Sequence, residues 1–482
     1  MLLASLILAL ALRLININQS LWLDEAINVN IIRSVDFQTL IFKYSLGDFH
    51  PPLYHLVLKA WYLMAEKIPI PIWEITFRLP SVIFGVATVY VTYIIGKKLF
   101  DKRTALTASL LLATAPLLIY YSQEARMYSM AGFFAALSVY FFISVIKKDK
   151  LTYWLGFILS TTLMLYTDYL PYLLIPVYLI YLIWARKTIA LGTLKAFVPA
   201  MLITLALIIP WLLILPKQLT AGLSAAAVSP AWANVVGSPD IKSLLITFVK
   251  FTIGRISIED NLVYALTMLP IALFISLLFL FSVLRTNAKR SFIYFWFILP
   301  IIFSFAIAFF IPIFAYFRLL FLLPAFYLIL ASGINILSHI WLKRILLSIT
   351  LAINLVCVTV YFLNPAFQRE DWKNAVEFIH SRSDHKTVVL FDSNYTMAPY
   401  DYYNQGRIEG YGALDSFDAA ASDIKTKVKT YTQGKNKVYL FQYLSGITDP
   451  QGLLFKEINL LGFNNVATQD FHGVGFIYEF AK

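Results

Sequence analysis

Two adjacent carboxylates, Asp24 and Glu25, stand just beyond the first apolar stretch of the chain, in the element Trp-Leu-Asp-Glu-Ala at 22–26. An ionisable group close to membrane depth is costly and usually serves a function. An aspartate there can act as a general base that removes a proton from a hydroxyl group. The alternative is that the pair only caps a solvated helix. We predict that Asp24 and Glu25 are catalytic, with Asp24 as the base.

A histidine follows in the same polar segment, in Gly-Asp-Phe-His-Pro-Pro-Leu-Tyr at 47–54. The two prolines fix a turn next to an acid and an imidazole. His50 could therefore bind a metal or contact a phosphate, or it could be a simple turn residue. Arg78, in Phe-Arg-Leu-Pro at 77–80, is interpreted as an interfacial anchor whose side chain reaches the water surface.

A third group of charged residues lies at 120–128, in Tyr-Tyr-Ser-Gln-Glu-Ala-Arg-Met-Tyr. Glu124 and Arg126 have almost no loop around them and are pinned between two apolar stretches. They could form a simple salt bridge. Alternatively, the Glu124 carboxylate could bind a cation or a sugar while the Arg126 guanidinium binds phosphate. Asp168 and Arg318 stand at the ends of two further apolar stretches.

The elements that must position these residues are membrane helices. Of the 482 residues, 60% are hydrophobic and 14% charged, far from the composition of a soluble domain. A hydrocarbon core of about 30 Å needs roughly 20 helical residues per span. We find eleven candidate spans, at 1–17, 79–96, 104–121, 129–146, 151–168, 171–185, 195–215, 262–284, 291–312, 318–338 and 345–363.

Clusters of Lys and Arg in short loops mark the cytoplasmic side of a membrane protein. Five alternate loops carry such clusters: Lys97, Lys98, Lys102 and Arg103; Lys147, Lys148 and Lys150; Arg186, Lys187 and Lys195; Arg285, Lys289 and Arg290; Lys343 and Arg344. The N-terminus is then cytoplasmic and the C-terminal tail outside, and the outer connections include 18–78, 122–128, 167–171 and 216–260. Every candidate residue named above falls on the outer side.

The net charge of +12 does not point to nucleic acid, because residues 1–364 carry +14 and residues 365–482 carry −2. The basic residues thus belong to the membrane part. The single cysteine, Cys357, rules out a disulfide framework within one chain. Residues 1–12 are interpreted as part of the first membrane helix rather than as a signal peptide.

After residue 364 the sequence alternates between polar and apolar residues. Residues 371–382 predict a surface helix with Trp372, Ala375, Val376 and Ile379 on one face, and strands are predicted at 386–391, 437–441 and 474–478. We therefore predict a polytopic α-helical membrane protein of about eleven transmembrane helices. A membrane domain, residues 1–364, precedes a small extracytoplasmic α/β domain, residues 365–482.

Carboxylates, a histidine and arginines on one face suit a charged, phosphorylated ligand that enters from the bilayer. Sugar transfer from a polyprenyl phosphate needs a base for the acceptor hydroxyl and positive charge for the departing phosphate. Asp24 is the predicted base, and Arg126 and Arg318 are candidates for the phosphate. A divalent cation held by carboxylates, Mg²⁺ or Mn²⁺, could assist the leaving group.

These motifs resemble those of the membrane glycosyltransferases of the C-type fold, specifically the family 39-like group with the protein O-mannosyltransferases and lipid A aminoarabinose transferases. The resemblance covers about residues 1–340 and rests on the elements at 22–26, 50–54, 77–80, 122–128 and 318–324. It implies an inverting displacement at Asp24 with a polyprenyl-phosphate-linked monosaccharide as donor.

The resemblance also implies that Glu25, His50, Glu124 and Arg126 lie near donor phosphate or metal. The predicted phosphate-binding residues are Arg126, Arg318, His50 and Tyr128, and the predicted metal ligands are Asp24, Glu124 and Asp168. Many relatives have a histidine at the position of Asp168. The acceptor would be a lipid, a glycan or a protein. The protein would be located in a prokaryotic plasma membrane.

Two other functions fit a polytopic chain. A transporter or flippase for a lipid-linked or anionic solute would place its binding residues near the bilayer midplane, often within internal repeats. We find the polar residues at one face and no evident repeat. An inactive scaffold that presents the external domain to partners would keep its cellular function after Asp24→Asn.

Overall fold

The computed structural model describes residues 1–69, 71–228, 240–284, 290–414 and 421–482. Two positions of one predicted inner cluster, Arg285 and Lys289, lie outside this described part. So do residues 229–239 of the predicted outer connection 216–260.

Every predicted apolar run falls on a helix of the structure. Five helices are long and apolar enough to cross a membrane: Glu74–Leu99, Tyr128–Lys147, Leu191–Leu212, Asn261–Leu284 and Ile340–Leu363. Shorter apolar helices occupy the other runs: Leu2–Leu14, Leu151–Leu165, Leu170–Ala185, Phe292–Ile307 and Leu320–Asn335. The chain is thus a helical integral membrane protein, and the count of eleven spans stays a prediction.

The remaining run is a bent pair, in which Lys102–Ala113 and Pro116–Ser122 meet at 57° and would make a sixth span. A break in a membrane helix frees backbone groups that other parts of the protein must satisfy. Arg13, fully buried, donates to the Ala113 carbonyl at 3.2 Å and to the Ser122 hydroxyl at 3.0 Å. Asn354 donates to the Leu111 carbonyl at 3.0 Å. These bonds hold the bend whose far end leads to Glu124 and Arg126.

The predicted outer connection 18–78 is folded. It forms helices at Leu23–Ser34 and Leu53–Ala65, joined through shorter helical segments at Phe37–Thr39, Leu40–Tyr44 and Ser45–Gly47. Lys59 from the second helix donates to the Ile32 carbonyl in the last turn of the first at 2.7 Å, which fixes the two helices to each other. Two more helices, Leu215–Val228 and Ile241–Ile253, lie in the later connection.

The C-terminal part is an α/β unit around a five-stranded mixed sheet. Its strands are β1 (Thr387–Ser393), β2 (Gly410–Leu414), β3 (Lys437–Phe441), β4 (Asn464–Phe471) and β5 (Gly475–Ala481). The order is β2-β1-β3-β5-β4, with β1 parallel to β2 and β3, and β5 antiparallel to β3 and β4. Its helices are Trp372–His380, Ala398–Asn404, Ala421–Tyr431, Ser445–Thr448 and Leu453–Leu460.

The predicted amphipathic helix at 371–382 is confirmed as Trp372–His380. All four of its predicted apolar positions are buried and belong to the core on one side of the sheet. The three predicted strands are confirmed as β1, β3 and β5. The sequence did not predict β2 or β4.

Candidate functional site

Asp24 lies in the first turn of the helix Leu23–Ser34, where a carboxylate is favoured by the helix dipole. Its Oδ2 is 3.1 Å from Nη1 of Arg126, which comes from the short connection after the bent helix pair. The Asp24 side chain is 34% exposed, whereas that of Arg126 is 11% exposed. Asp24 is therefore a carboxylate that incoming molecules can reach, held in place by a buried cation.

Glu25, the other half of the pair, points into the protein. Its side chain is fully buried, and its Oε1 accepts a hydrogen bond from the Ala125 amide at 2.7 Å. Arg78 donates to its two oxygens at 2.8 and 2.6 Å. Burial acts to raise the pKa of Glu25, but the charge and hydrogen bonds of Arg78, the charge of Arg369 and the hydrogen bond from the Ala125 amide together lower it. This geometry favours a positioning role, and the predicted catalytic role of Glu25 stays a prediction.

Arg78 is not the solvent-reaching anchor that the sequence suggested. It is 1% exposed and also donates to the carbonyls of residues 17, 19 and 20, at 2.6, 2.7 and 2.9 Å. A single guanidinium with five donors can satisfy several acceptors at once. Arg78 thus fixes the chain that leads into the Asp24 helix. The sequence suggested a surface anchor because Arg78 stands alone at the start of a helix. The carbonyls that accept its hydrogen bonds lie about sixty residues earlier, where no local pattern connects them with Arg78.

Glu124 is also buried, and its partner comes from the C-terminal side of the chain. Its Oε2 is 3.5 Å from Nη2 of Arg369, whose Nη1 donates to the Tyr120 hydroxyl at 2.5 Å. The Arg369 guanidinium stands 3.9 Å from the centre of the Tyr120 ring, a cation–π contact. Burial raises the pKa of Glu124. Sequence reasoning missed Arg369, which no motif marks.

His50 contacts Asp48, with 3.4 Å between Nδ1 and Oδ1. A second imidazole, His55, which the sequence reasoning did not single out, is 3.8 Å from the other oxygen of Asp48 and 3.0 Å from the Asn28 amide oxygen. Burial acts to raise the pKa of Asp48, but the neighbouring His50, His55 and Arg126 together outweigh burial and lower the pKa. Burial lowers the pKa of His55 to about 4, so His55 is neutral at pH 7.

Asp168 is buried and accepts a hydrogen bond from the Tyr169 amide at 2.6 Å. The charges of His50 and Arg318 act on its carboxylate, so these three predicted residues share one region. The half-buried Arg318 donates to the Pro312 carbonyl at 3.4 Å and lies 5.9 Å from the Phe317 ring centre.

Tyr128 connects the two groups of charges. Its ring lies 5.7 Å from the Arg126 guanidinium and packs edge-on against Phe317 at 5.6 Å. The charges of Arg126, Arg318 and Asp24 all act on it. The structure therefore gathers the predicted residues into one layer, although they are spread over some 300 positions of sequence. Several buried polar atoms in this layer lack a hydrogen-bond partner among the described residues: Nε of Arg126, Oε1 of Glu124 and Oδ2 of Asp48.

The predicted metal ligands do not fit a cation as they are placed. Within the described ranges, no group of three or more His, Cys, Asp or Glu side chains could hold a metal ion. Asp24 pairs with Arg126, Glu124 with Arg369, and Asp168 with a backbone amide, so the three carboxylates face different partners. We derive no step through a metal.

Comparison with known proteins supports the resemblance that the motifs indicated. Residues 50–214 match the family described as dolichyl-phosphate-mannose-protein mannosyltransferase. YkcB of Bacillus subtilis (strain 168), a protein provisionally named a mannosyltransferase, is 24% identical over 225 residues. That match covers 43% of this chain and 30% of YkcB, so the chain spans less than a third of this relative's length.

Solved structures share the fold over nearly the whole chain. ArnT from Cupriavidus metallidurans in the apo state is 13% identical with a TM-score of 0.60, covering 100% of this chain and 97% of ArnT. The same protein bound to undecaprenyl phosphate is 12% identical with a TM-score of 0.59, covering 99% and 96%.

The oligosaccharyltransferase of Archaeoglobus fulgidus is 11% identical with a TM-score of 0.58, covering 91% of this chain and 69% of that one. Another structure of that enzyme is a complex with Zn and sulfate; it is 11% identical with a TM-score of 0.54, covering 99% and 72%. The resemblance to membrane glycosyltransferases of the C-type fold is thus confirmed.

Proposed function

We propose that this chain transfers a monosaccharide from a polyprenyl-phosphate carrier to a hydroxyl group of a lipid, glycan or protein acceptor. The observation that carries the proposal is the Asp24–Arg126 pair, in which a reachable carboxylate is 3.1 Å from a buried guanidinium. The family match at 50–214 supports a polyprenyl-type donor with mannose as the sugar, and the fold shared with ArnT supports a polyprenyl phosphate ligand.

In the proposed reaction the acceptor oxygen attacks the anomeric carbon of the donor sugar. The new carbon–oxygen bond forms as the bond from that carbon to the phosphate oxygen breaks, and its electron pair leaves with the polyprenyl phosphate. Asp24 takes the proton of the acceptor hydroxyl as general base. A single displacement of this kind inverts the anomeric configuration. Glu25 and Arg78 hold the Asp24 helix in place.

Positive charge must stabilise the phosphate as it leaves. Arg126 suits this role, because its Nε is buried without a partner among the described residues while its Nη1 is paired with Asp24. Arg318 suits it too, since it is half-buried and its long hydrogen bond to the Pro312 carbonyl is weak. We assign Arg126 and Arg318 to the donor phosphate, with His50 and Tyr128 beside them.

We further propose eleven transmembrane segments in a prokaryotic plasma membrane, with the N-terminus cytoplasmic and the C-terminal domain outside. The basic loops support this orientation. The transporter alternative is less well supported, because the charged side chains lie at helix ends rather than in helix centres. Arg126 precedes Tyr128–Lys147, Asp168 follows Leu151–Leu165, and Arg318 precedes Leu320–Asn335.

The test uses the purified protein in lipid nanodiscs with undecaprenyl-phosphate mannose labelled in the sugar. We expect label to move from the lipid to an acceptor, and Asp24→Asn to slow this by about 10²- to 10⁴-fold, the usual contribution of a general base. Asp470→Asn, an exposed acid on β4, is the matched control and should keep the wild-type rate. A wild type that never turns over the donor would refute the proposal, whereas an active Asp24→Asn would refute the assignment of the base.

A further inference from the structure

The C-terminal domain is attached directly to the segment that carries Asp24. The Arg369 amide donates to the Gln19 side chain at 2.7 Å, and the Lys373 amide donates to the Ser20 hydroxyl at 3.1 Å. Leu23, the residue before Asp24, packs against the core formed by Trp372 and its neighbours. The start of the C-terminal domain and the approach to the predicted base therefore form one surface.

The carboxyl ends of β1 and β3 lie near the same surface, because Trp372 stacks on Phe391 of β1 and on Phe441 of β3. Ligands of open α/β sheets bind at the carboxyl ends of the strands, at the point where the connections diverge to opposite sides. Here that point lies between β1 and β3, because β1 leads to β2 on one side and β3 lies on the other. Trp372 stacks on Phe441 at the end of β3, with ring centres 5.5 Å apart. The helix Trp372–His380 thus begins at this edge.

A carboxyl group and a phenol meet there. Tyr443, two residues after β3, donates its hydroxyl to the Glu370 carboxylate, with both oxygens at 3.0 Å. The Trp372 indole donates to the same carboxylate at 2.7 Å. Burial raises the pKa of Glu370 to about 7, and the charge of Asp24 adds to this rise. The charge of Asp24 also acts on Tyr443, so both groups lie within electrostatic reach of the predicted base.

Glu370 lines a polar cleft between the two parts of the chain. The cleft has a volume of about 300 Å³, at the lower end of the range for small-molecule sites. Its wall includes Asn18, Gln19 and Ser20 from the loop, with Glu370, Lys373 and Asn374 from the C-terminal domain. The Nε2 of Gln19 is buried and has no partner among the described residues. Amides, hydroxyls and carboxyls can each exchange hydrogen bonds with a sugar hydroxyl.

We infer that this cleft binds the acceptor and that the acceptor is a hydroxyl-rich molecule of the carbohydrate class. Glu370 positions the acceptor hydroxyl for Asp24, and Tyr443, which does not line the cleft, holds the Glu370 carboxylate in place. This inference rests on the proposed function and assigns a task to the C-terminal domain. Glu370 and Tyr443 are positioning residues, and Asp24 alone takes the proton.

The test measures binding of methyl α-D-mannopyranoside to the protein in nanodiscs loaded with undecaprenyl phosphate, by saturation-transfer NMR, so that no turnover is needed. We expect Glu370→Gln and Tyr443→Phe each to weaken binding of the glycoside by about tenfold, the worth of one good hydrogen bond. The affinity for undecaprenyl phosphate should not change. A purely structural defect would instead weaken the binding of both the glycoside and undecaprenyl phosphate. Glu377→Gln, an exposed acid on the same helix as Trp372, is the matched control.

A parallel assay follows donor turnover with methyl α-D-mannopyranoside or N-acetylthreonine amide as acceptor. A wild type that binds no glycoside, or that prefers the threonine derivative, would overturn the inference. The inference would also be overturned if the wild type turns over the donor but Glu370→Gln and Tyr443→Phe both keep the wild-type glycoside affinity and the wild-type KM for the glycoside. Absence of any donor turnover by the wild type, whether to acceptor or to water, would instead refute the proposed function on which this site rests.

Discussion

Arg78 and Glu25 form a two-point ion pair inside the protein, with Nε 2.8 Å from Oε1 and Nη2 2.6 Å from Oε2. The exposed fraction is 1% for the Arg78 side chain and 0% for that of Glu25. Because Glu25 is the next residue after Asp24, this pair determines where the reachable carboxylate stands. The same guanidinium donates to the carbonyls of residues 17, 19 and 20, which precede the helix Leu23–Ser34. Arg78 therefore fixes both the start of this helix and the segment that leads into it.

Removing one partner of this pair should destabilise the protein severely. Arg78→Met leaves the Glu25 charge buried without compensation, which typically costs about 3–5 kcal/mol of unfolding free energy. Adding Glu25→Leu to that variant removes the stranded charge and should recover part of the loss. Thermal unfolding of the single and double variants in one detergent measures the coupling. Arg344→Met, at an exposed position, is the control; additive effects of the two substitutions would contradict the role of the pair.

Arg318 should contribute to phosphate binding and not to stability. Replacing it with Gln removes a cation from the region of Asp168 and His50, and a charge-assisted hydrogen bond is worth about 1.5–3 kcal/mol, or roughly 10- to 100-fold in affinity. We expect Arg318→Gln to weaken undecaprenyl phosphate binding by that factor with little change in melting temperature. Scintillation proximity with labelled lipid measures it. An unaltered affinity, equal to that of the control Arg344→Gln, would remove Arg318 from the phosphate site.

The helices could be predicted from sequence because lipid leaves the backbone few choices. Every membrane-crossing segment must satisfy its own hydrogen bonds, so a long apolar run is almost always a helix. The bend between Lys102–Ala113 and Pro116–Ser122 could not be predicted in the same way. It depends on Arg13 and Asn354, which lie about 100 and 240 positions away in sequence from the groups they satisfy.

The strands that sequence reasoning missed have physical reasons to look like loops. Strand β2 begins Gly-Tyr-Gly, which reads as a turn. A Cβ at Gly412 would come within 2.1 Å of the Asn394 backbone nitrogen, so this glycine serves close packing against the chain that leaves β1. Strand β4 is an edge strand with mostly exposed polar residues, and it lacks the apolar alternation of a half-buried strand.

The candidate site was predictable in its membrane half and not in its other half. Asp24, Glu124 and Arg126 stand beside apolar runs, where a charge is conspicuous. Arg369 and Glu370 stand in polar sequence after the last membrane helix, where charges are ordinary. Only their contacts with Glu124 and Tyr443 separate them from solvated residues.

The orientation in the membrane can be tested with single cysteines. The natural Cys357 is buried, and Cys357→Ser gives a cysteine-free background. We expect a membrane-impermeant maleimide to label Val466→Cys, on the exposed edge strand β4, in intact cells. Lys148→Cys, in a basic loop, should be labelled only after lysis. The opposite pattern would place the C-terminal domain and Asp24 on the cytoplasmic side and overturn the topology.

Glu370 should make the stability of the protein depend on pH. Its pKa is about 7 in the folded protein against 4.5 as the ordinary value, so between these two values the unfolded chain releases a proton that the folded protein keeps. Stability contributed by the neutral carboxyl is therefore fully present below pH 4.5 and is lost as pH rises through 7, by at most about 3 kcal/mol. The charged or titratable groups around it are Asp24, Arg369 and Tyr443.

We expect the melting temperature of Glu370→Gln, relative to wild type, to rise between pH 5 and pH 8, because the amide cannot ionise. Differential scanning fluorimetry in a fixed detergent measures the difference at each pH. The control Glu377→Gln should keep a constant offset from wild type over the same range, since that side chain is exposed. If the offset of Glu370→Gln were constant as well, the carboxyl would be ionised throughout, and a neutral Glu370 beside Asp24 would have to be abandoned.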